Sequence, residues 1–259
     1  MPELPEATTI SSQLSPFVVG KKLKTVTVKK ASIIKNSKML QNLINLECIE
    51  VGNYGKMIYF KFPGYWIVFM LALTGYLVVN PKEELYKHSI VEFNFEGNNV
   101  VIFGAKRMFE KMIVYNSYPF EKYGPDFRNV TALDFIKRMV KTKKYVKVAL
   151  MDQKVIAGVG NIYACEALFE AGISPTRYTN NITAQEYYKL HKSLKSIIDQ
   201  AIKKRGSTIS DYIDAFGNPG EYQNFHRIYG RKSCPVCSSK IKIIKIMDRV
   251  TYFCLNCQK

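Results

Sequence analysis

Tyr123-Gly124-Pro125-Asp126 divides this chain into two kinds of sequence. Upstream of it, apolar residues recur over short runs: Leu23–Val28, Leu46–Val51, Met57–Phe62, Trp66–Leu73, Ile90–Phe95, Val100–Phe103 and Met112–Tyr115. Successive side chains of a strand point to opposite faces, so these short runs predict strands. Turn formers separate them, including Pro63-Gly64 and Gly97-Asn98-Asn99. The apolar stretch Trp66–Val79 contains Gly75 and falls short of the roughly 18 residues of a membrane-spanning helix, so it reads as a buried strand pair. Downstream the period becomes helical. Thr131 can cap Ala132–Val140, and the pattern continues through Lys147–Met151, Ile162–Ala171 and Ala184–Lys204. The expected fold is therefore α+β: an N-terminal antiparallel β-sandwich followed by a helical region.

Both ends of the chain carry chemistry. Met1-Pro2-Glu3-Leu4-Pro5-Glu6 opens a leading helix, about Pro2–Leu14, laid against the sandwich. Proline is favoured at a first helical position, and Glu3 and Glu6, three apart, would share one face. That is one reading: an ordinary acidic helix start. The other depends on removal of Met1, which makes Pro2 a terminal secondary amine beside two carboxylates. An α-amino group has an unperturbed pKa of about 7.7–8.0, so a useful fraction is nucleophilic near neutrality. Attack of such an amine on a carbonyl-like carbon gives an iminium, the electron sink of Schiff-base enzymes. At the other end, Cys234-Pro-Val-Cys237 and Cys254-Leu-Asn-Cys257 have the spacing of a four-thiolate zinc site. Four protein ligands leave no open position, so the expected zinc is structural. Cys48 and Cys165 lie in apolar or helical settings and read as small buried hydrophobes.

Between these ends, Ile156-Ala157-Gly158-Val159-Gly160-Asn161 precedes a helix, where exposed N–H groups and the helix dipole favour an anion. A long glycine-rich stretch, Gly206-Ser207-Thr208 through Gly217-Asn218-Pro219-Gly220, reads equally as a lid or a surface loop. His88, His191 and His226 fit no ligand or triad pattern. Charge decides the class of partner. Lys and Arg number 38 against 21 Asp and Glu, a net +17, which points to a polyanion and above all to nucleic acid. The N-terminus lacks the basic-then-apolar pattern of a signal peptide, so an intracellular, cytoplasmic protein is expected, with no membrane partner.

Pro2-Glu3-Leu4-Pro5-Glu6, the Gly158-x-Gly-Asn161 turn and the four-cysteine finger, in this order, resemble the formamidopyrimidine-DNA glycosylase/endonuclease VIII family of base-excision repair enzymes. The first motif, with Asp152-Gln153-Lys154 and Gly206–Tyr212, is more similar to the formamidopyrimidine branch. The resemblance implies a sandwich over residues 1–125, a helix-two-turn-helix region over 126–228 and a zinc-finger β-hairpin over 229–259. It implies a bifunctional glycosylase and abasic-site lyase that removes oxidised purines from double-stranded DNA, acting as a monomer with one zinc. Pro2 would attack the anomeric carbon and form the iminium, with β- then δ-elimination to follow. Glu3 would be the general acid/base, Glu6 a supporting carboxylate, and Lys56 a lysine at the DNA backbone. Lys154, Asn161, Tyr229 and Arg249 would contact phosphates, and Cys234, Cys237, Cys254 and Cys257 would hold the metal. Leu73 would fill the stack vacated by the extruded base. The family's other two fillers sit in an Asp-Pro-Arg-Arg-Phe-Gly loop that is Gly104-Ala-Lys-Arg107-Met-Phe109-Glu110 here. Lys106 with Met108 is one register; Arg107 with Phe109 is preferred because it keeps Arg-x-Phe. The rival expectations are an endonuclease VIII-like enzyme for oxidised pyrimidines, a damaged-DNA-binding protein without catalysis, and a zinc-dependent RNA-binding protein.

Overall fold

The computed structural model describes residues Pro2–Lys259. The chain forms two compact units. One holds the residues up to Glu121 together with Lys204–Gln223, and the other holds Lys122–Lys203 and Asn224–Lys259.

In the first unit, helix α1 spans Leu4–Val18. It starts two residues later than the sequence suggests, because Glu3 takes the extended conformation of an N-cap. It also runs past Leu14. Leu4, Ala7, Ile10, Leu14 and Val18 form one apolar stripe, all fully buried, and Val18 completes it. The strands are β1 (Leu23–Val28), β2 (Ile34–Lys35), β3 (Glu50–Tyr54), β4 (Met57–Phe62), β5 (Tyr65–Met70), β6 (Gly75–Val79), β7 (Ser89–Phe95), β8 (Asn99–Ala105) and β9 (Lys111–Tyr115), with a short helix α2 at Glu83–Tyr86. They make a four-stranded sheet in the order β1-β7-β8-β6 and a five-stranded sheet in the order β2-β9-β5-β4-β3. Aromatic side chains fill the space between: Phe69 of β5 packs edge-on against Phe93 of β7 at 5.9 Å and at 5.5 Å against Phe103 of β8.

Two strand expectations shift. Leu46–Val51 is not itself a strand; Leu46 and Cys48 pair locally with Leu23 and Lys21, and the regular strand begins at Glu50. Trp66–Val79 does contain two strands, yet they are not partners. β5 pairs with β4 and β9, whereas β6 pairs with β8. Leu71–Thr74 carries the chain from one sheet to the other, a step that an apolar pattern does not reveal.

The second unit is built round α5 (Asn161–Ala171), a helix buried on nearly every face. Helices α4 (Val146–Met151) and α6 (Ala184–Lys203) pack against it, and α3 (Ala132–Val140) packs on α6 and α4. Thr131 caps α3 as the sequence suggests, accepting from Asp134 N–H. Gly172 ends α5 in the left-handed conformation at φ 75°, and Ile173 N–H reaches back to Leu168 O at 2.9 Å. The chain closes with a hairpin of β10 (Lys242–Ile246) and β11 (Arg249–Phe253). Its turn residues Met247 and Asp248 both have positive φ, which matches strand twist. No described helix is long and apolar enough to cross a membrane.

Candidate active site and nucleic-acid interface

Pro2 is not the first residue of α1 but projects from its N-cap, and it is buried. Whether Met1 is removed lies outside the described residues. Glu3 and Glu6 are buried at 3% and 2% exposure. Burying carboxylates is costly unless they accept hydrogen bonds. Glu6 meets that condition at both oxygens. Oε2 accepts from Glu3 N–H at 2.8 Å, the return arm of a capping box, and Oε1 accepts from Ser207 N–H at 2.7 Å. Glu6 thus pins the glycine-rich stretch to the start of the chain. Gly206 permits the approach: it has φ +79°, and a Cβ there would lie 2.6 Å from Glu6 Cγ.

That stretch is cross-linked rather than loose. Thr208 Oγ1 donates to Tyr212 O and accepts from Gly220 N–H, and Tyr212 Oη donates to Arg205 O. Asp214, fully buried, accepts from Phe216 and Asn218 N–H groups and from Gln13 Nε2 of α1. Sequence reasoning did not find Gln13 or Asp214; neither belongs to a spaced motif.

Lys56 occupies the β3–β4 turn, next to Gly55 with φ 55°. The turn is anchored by Asn53, whose Nδ2 donates to Gly55 O at 2.9 Å while its Oδ1 accepts from Thr8 and Ser11 of α1. The helix that presents Pro2 therefore also holds the hairpin that presents Lys56. Leu73 lies in the β5–β6 connection and is 42% exposed; Phe109, in the β8–β9 connection, is 63% exposed. Met108 is also exposed, and Lys106 forms a surface ion pair with Asp211.

In the second unit, the glycine turn is held by Gln153. Its Nε2 donates to Met151 O and Val159 O, and its Oε1 accepts from Gly158 N–H. Gly158 has φ +114°, a conformation closed to most side chains. Asn161 then begins α5, and its amide is engaged at both ends. Oδ1 accepts from Lys147 Nζ at 2.5 Å, and Nδ2 donates to Val250 O at 2.9 Å and lies 3.4 Å from Tyr229 Oη. Lys147 is 1% exposed and also donates to Thr251 Oγ1 at 2.8 Å, so a buried cation ties α4 and α5 to β11. Arg249 sits exposed at the start of that strand, and the Tyr229 ring lies tilted against that of Tyr252, with centroids 5.0 Å apart. Asn161, Tyr229 and the Arg249 strand are therefore one cluster. Lys154 instead lines a basic hollow with Lys137, Arg138 and Lys141.

Glu166 was not singled out by the sequence, though a carboxylate flanked by apolar residues inside a helix is a signal. At 2% exposure it accepts from the backbone N–H groups of Arg227, Ile228 and Tyr229 at 2.8, 3.0 and 2.7 Å. Burial pushes its carboxyl up, with the three N–H bonds and Arg227 pulling the other way. Glu166→Ala should cost about 3–5 kcal/mol in urea unfolding, because it strands several buried donors at once. A loss under about 1 kcal/mol, the usual worth of one hydrogen bond, would refute this role. His226 is a packing residue: burial, aided by repulsion from Arg231, lowers it to about 4, so it is neutral at neutral pH. His191 lies against Phe127 and Phe135, with Nε2 2.9 Å from Val130 O.

The four finger cysteines converge. Their sulfurs lie within 4.8 Å of one another, with Cys234–Cys257 at 3.8 Å and Cys237–Cys254 at 3.5 Å. Tetrahedral zinc at about 2.3 Å from each sulfur requires sulfur–sulfur separations near ~3.8 Å, so the donor set fits a metal ion of that kind. Cys48 and Cys165 are buried and lie outside this four-sulfur group, although Cys165 packs in the same apolar cluster as Cys234 and Cys254.

Two family models match the chain: the formamidopyrimidine-DNA glycosylase N-terminal domain over residues 1–112 and the formamidopyrimidine-DNA glycosylase H2TH domain over residues 123–212. With this fold and this pair of sites, the chain is a DNA glycosylase. Formamidopyrimidine-DNA glycosylases of Listeria monocytogenes serovar 1/2a and of Wolbachia sp. subsp. Drosophila simulans are 35% and 36% identical to it, each aligned over the whole of both chains. It belongs to the formamidopyrimidine-DNA glycosylase family. Among solved structures, MutM (Fpg) of Thermus thermophilus is 30% identical with a TM-score of 0.88, covering 99% of this chain and 98% of that one. A Lactococcus lactis Fpg variant bound to Fapy-dG-containing DNA is 27% identical with a TM-score of 0.89 over 100% of both chains. Wild-type Lactococcus lactis Fpg, also 27% identical over 100% of both chains, has been solved with oxidised-pyrimidine-containing DNA at a TM-score of 0.88.

Proposed function

We propose that the chain is a bifunctional glycosylase and abasic-site lyase acting on oxidised purines in double-stranded DNA through the amine of Pro2. The observation that carries the reading is the construction of the N-terminus. Pro2, a secondary amine once Met1 is removed, is held off the helix end next to a buried Glu3, and Glu6 spends both oxygens on backbone N–H groups. Attack of the Pro2 nitrogen on C1′ breaks the glycosidic bond, and the base leaves with the bonding electron pair and is protonated. The sugar ring then opens, its ring oxygen taking a proton from Glu3, and nitrogen and C1′ form the iminium. The iminium acidifies C2′–H; loss of that proton expels the 3′ phosphate, and δ-elimination expels the 5′ phosphate. Glu6 supports by geometry rather than by proton transfer.

Lys56, Asn161, Tyr229, Arg249 and Lys154 would grip the phosphates, in keeping with the net charge of +17. Leu73, with Arg107 and Phe109, would occupy the vacated stack. Cys234, Cys237, Cys254 and Cys257 would hold one structural zinc, and the setting would be intracellular, as reduced thiolates require.

Borohydride reduction tests the reading. A chain shown by intact mass to begin at Pro2 should crosslink to an abasic or 8-oxoguanine duplex, and Pro2→Gly should not. Failure of the processed wild-type chain to crosslink to either duplex would overturn the proposal. A panel of lesion duplexes ranks the purine reading against oxidised pyrimidines.

A further inference from the structure

The two exposed connections that carry Leu73 and Arg107–Phe109 run side by side. β5 and β9 belong to one sheet, with Met70 opposite Lys111; β6 and β8 belong to the other, with Gly75 opposite Ala105. Residues 71–74 and 106–110 therefore bridge the sheets in parallel between two fixed ladder ends. Three features lock them together. Glu110, 1% exposed, accepts through Oε1 from Thr74 N–H at 2.9 Å and from Thr74 Oγ1 at 3.1 Å. Thr74 Oγ1 in turn accepts from Arg107 N–H at 2.9 Å. Gly75 leaves the passage for the carboxylate: a Cβ there would lie 2.5 Å from Glu110 Cγ and 2.8 Å from Leu71 O.

The arrangement is expensive. Glu110 Oε2 is buried with no hydrogen-bond partner among the described residues, a state that native structures rarely tolerate. Ala72, within the first connection, has φ +24°, a region that residues with a Cβ seldom occupy. Unpaired buried groups and strained backbone concentrate where geometry matters more than stability. Here what is held is the direction of the side chains on either side of the clamp.

We propose that Glu110 is a positioning residue that makes Leu73 and the Arg107–Phe109 loop move and insert as one wedge, thereby setting which base is tolerated opposite the lesion. The proposal rests on the reading that these two loops enter the duplex. Glu110 itself touches no reacting atom. Its carboxylate fixes Thr74, Thr74 fixes the backbone at Arg107, and both loops reach the helix stack at one separation. A wedge whose halves drift by an ångström would still bind DNA but would hold the base open poorly.

The test compares Glu110→Ala, Glu110→Gln and Thr74→Val on an 8-oxoguanine duplex, on that duplex with each of the four opposite bases, and on a single-stranded abasic oligonucleotide. 2-Aminopurine beside the lesion reports opening of the stack. Glu110→Ala and Thr74→Val should lower kcat/KM on the duplex by on the order of 10–100-fold, as misplacement by about 1 Å does. Their loss in borohydride trapping on the single strand, which has no stack to fill, should be at least tenfold smaller. The opposite-base profile should flatten, the 2-aminopurine signal should fall, and Glu110→Gln, which keeps the Oε1 acceptor, should recover most of the wild-type behaviour. Thr74→Val is nearly isosteric, so it tests the clamp even if Glu110→Ala fails to fold. Wild-type duplex rates and base profile in both clamp variants would overturn the inference, as would equal losses on duplex and single strand. Absence of any 2-aminopurine response in the wild-type protein would instead overturn the reading beneath it.

Discussion

Glu3→Gln should reduce excision of 8-oxoguanine by on the order of 10²–10⁴-fold, the usual worth of a positioned general acid or base. The substitution is nearly isosteric and keeps the N-cap in place, so the loss is one of proton transfer rather than of folding. Glu3 is 3% exposed and directly follows Pro2, so its carboxyl is shielded from bulk water. Breaking the glycosidic bond of an intact nucleotide requires a proton at the opening sugar. A pre-formed abasic site, already in part an open aldehyde, requires far less help. Borohydride trapping on abasic DNA should therefore fall much less than excision. Equal losses on the two substrates would refute the assignment of Glu3 and point to a structural role at the helix cap. Glu6→Gln should behave differently. It keeps one acceptor but places a donor against Glu3 N–H or Ser207 N–H, so it should loosen residues 206–212 and affect both substrates alike.

Removal of the proposed zinc should have the second large effect. A two-stranded hairpin is marginal alone in water, and β10–β11 exposes Ile243, Met247 and Val250. Structural zinc in finger peptides contributes on the order of 10–16 kcal/mol, so stripping it should unfold the hairpin outright. The consequence would not stop there. Cys234 and Cys254 pack with Cys165 and Phe169 of α5, and β11 supplies Thr251 and Val250 O to Lys147 and Asn161. Chelation, or Cys254→Ser, should thus release about one zinc per chain, lower the thermal transition and weaken DNA binding steeply. Affinity should also become less dependent on salt as Arg249 loses its place. A metal-free protein with an unchanged transition and unchanged DNA affinity would show that the four thiols serve no metal.

Some of this molecule is local and some is not. The paired Cys-x-x-Cys turns, the strand runs before Tyr123 other than Leu46–Val51, the Thr131 cap and the glycine turn before Asn161 are features of neighbouring residues, so they are legible in order and spacing. The candidate sites are held by residues that share no motif. Glu6 meets Ser207 across 201 positions, Lys147 meets Thr251 across 104, Glu166 meets Tyr229 across 63, and Glu110 meets Thr74 across 36. A buried carboxylate or ammonium must find donors or acceptors wherever the fold brings them, and no periodicity encodes that partner. The same holds for Leu71–Thr74, where one apolar run feeds two different sheets.

Read alone, the sequence determined the α+β architecture, the four-cysteine hairpin and the acidic, proline-led N-terminus. Each follows from side-chain period, turn chemistry or ligand spacing. Only the tertiary structure decided that Glu6 is committed to backbone N–H groups, that residues 204–223 belong with the sandwich, and that Leu73 and Phe109 stand on loops joined by Glu110. Those outcomes depend on which distant groups share one buried volume, where an unmatched charge is too costly to leave alone.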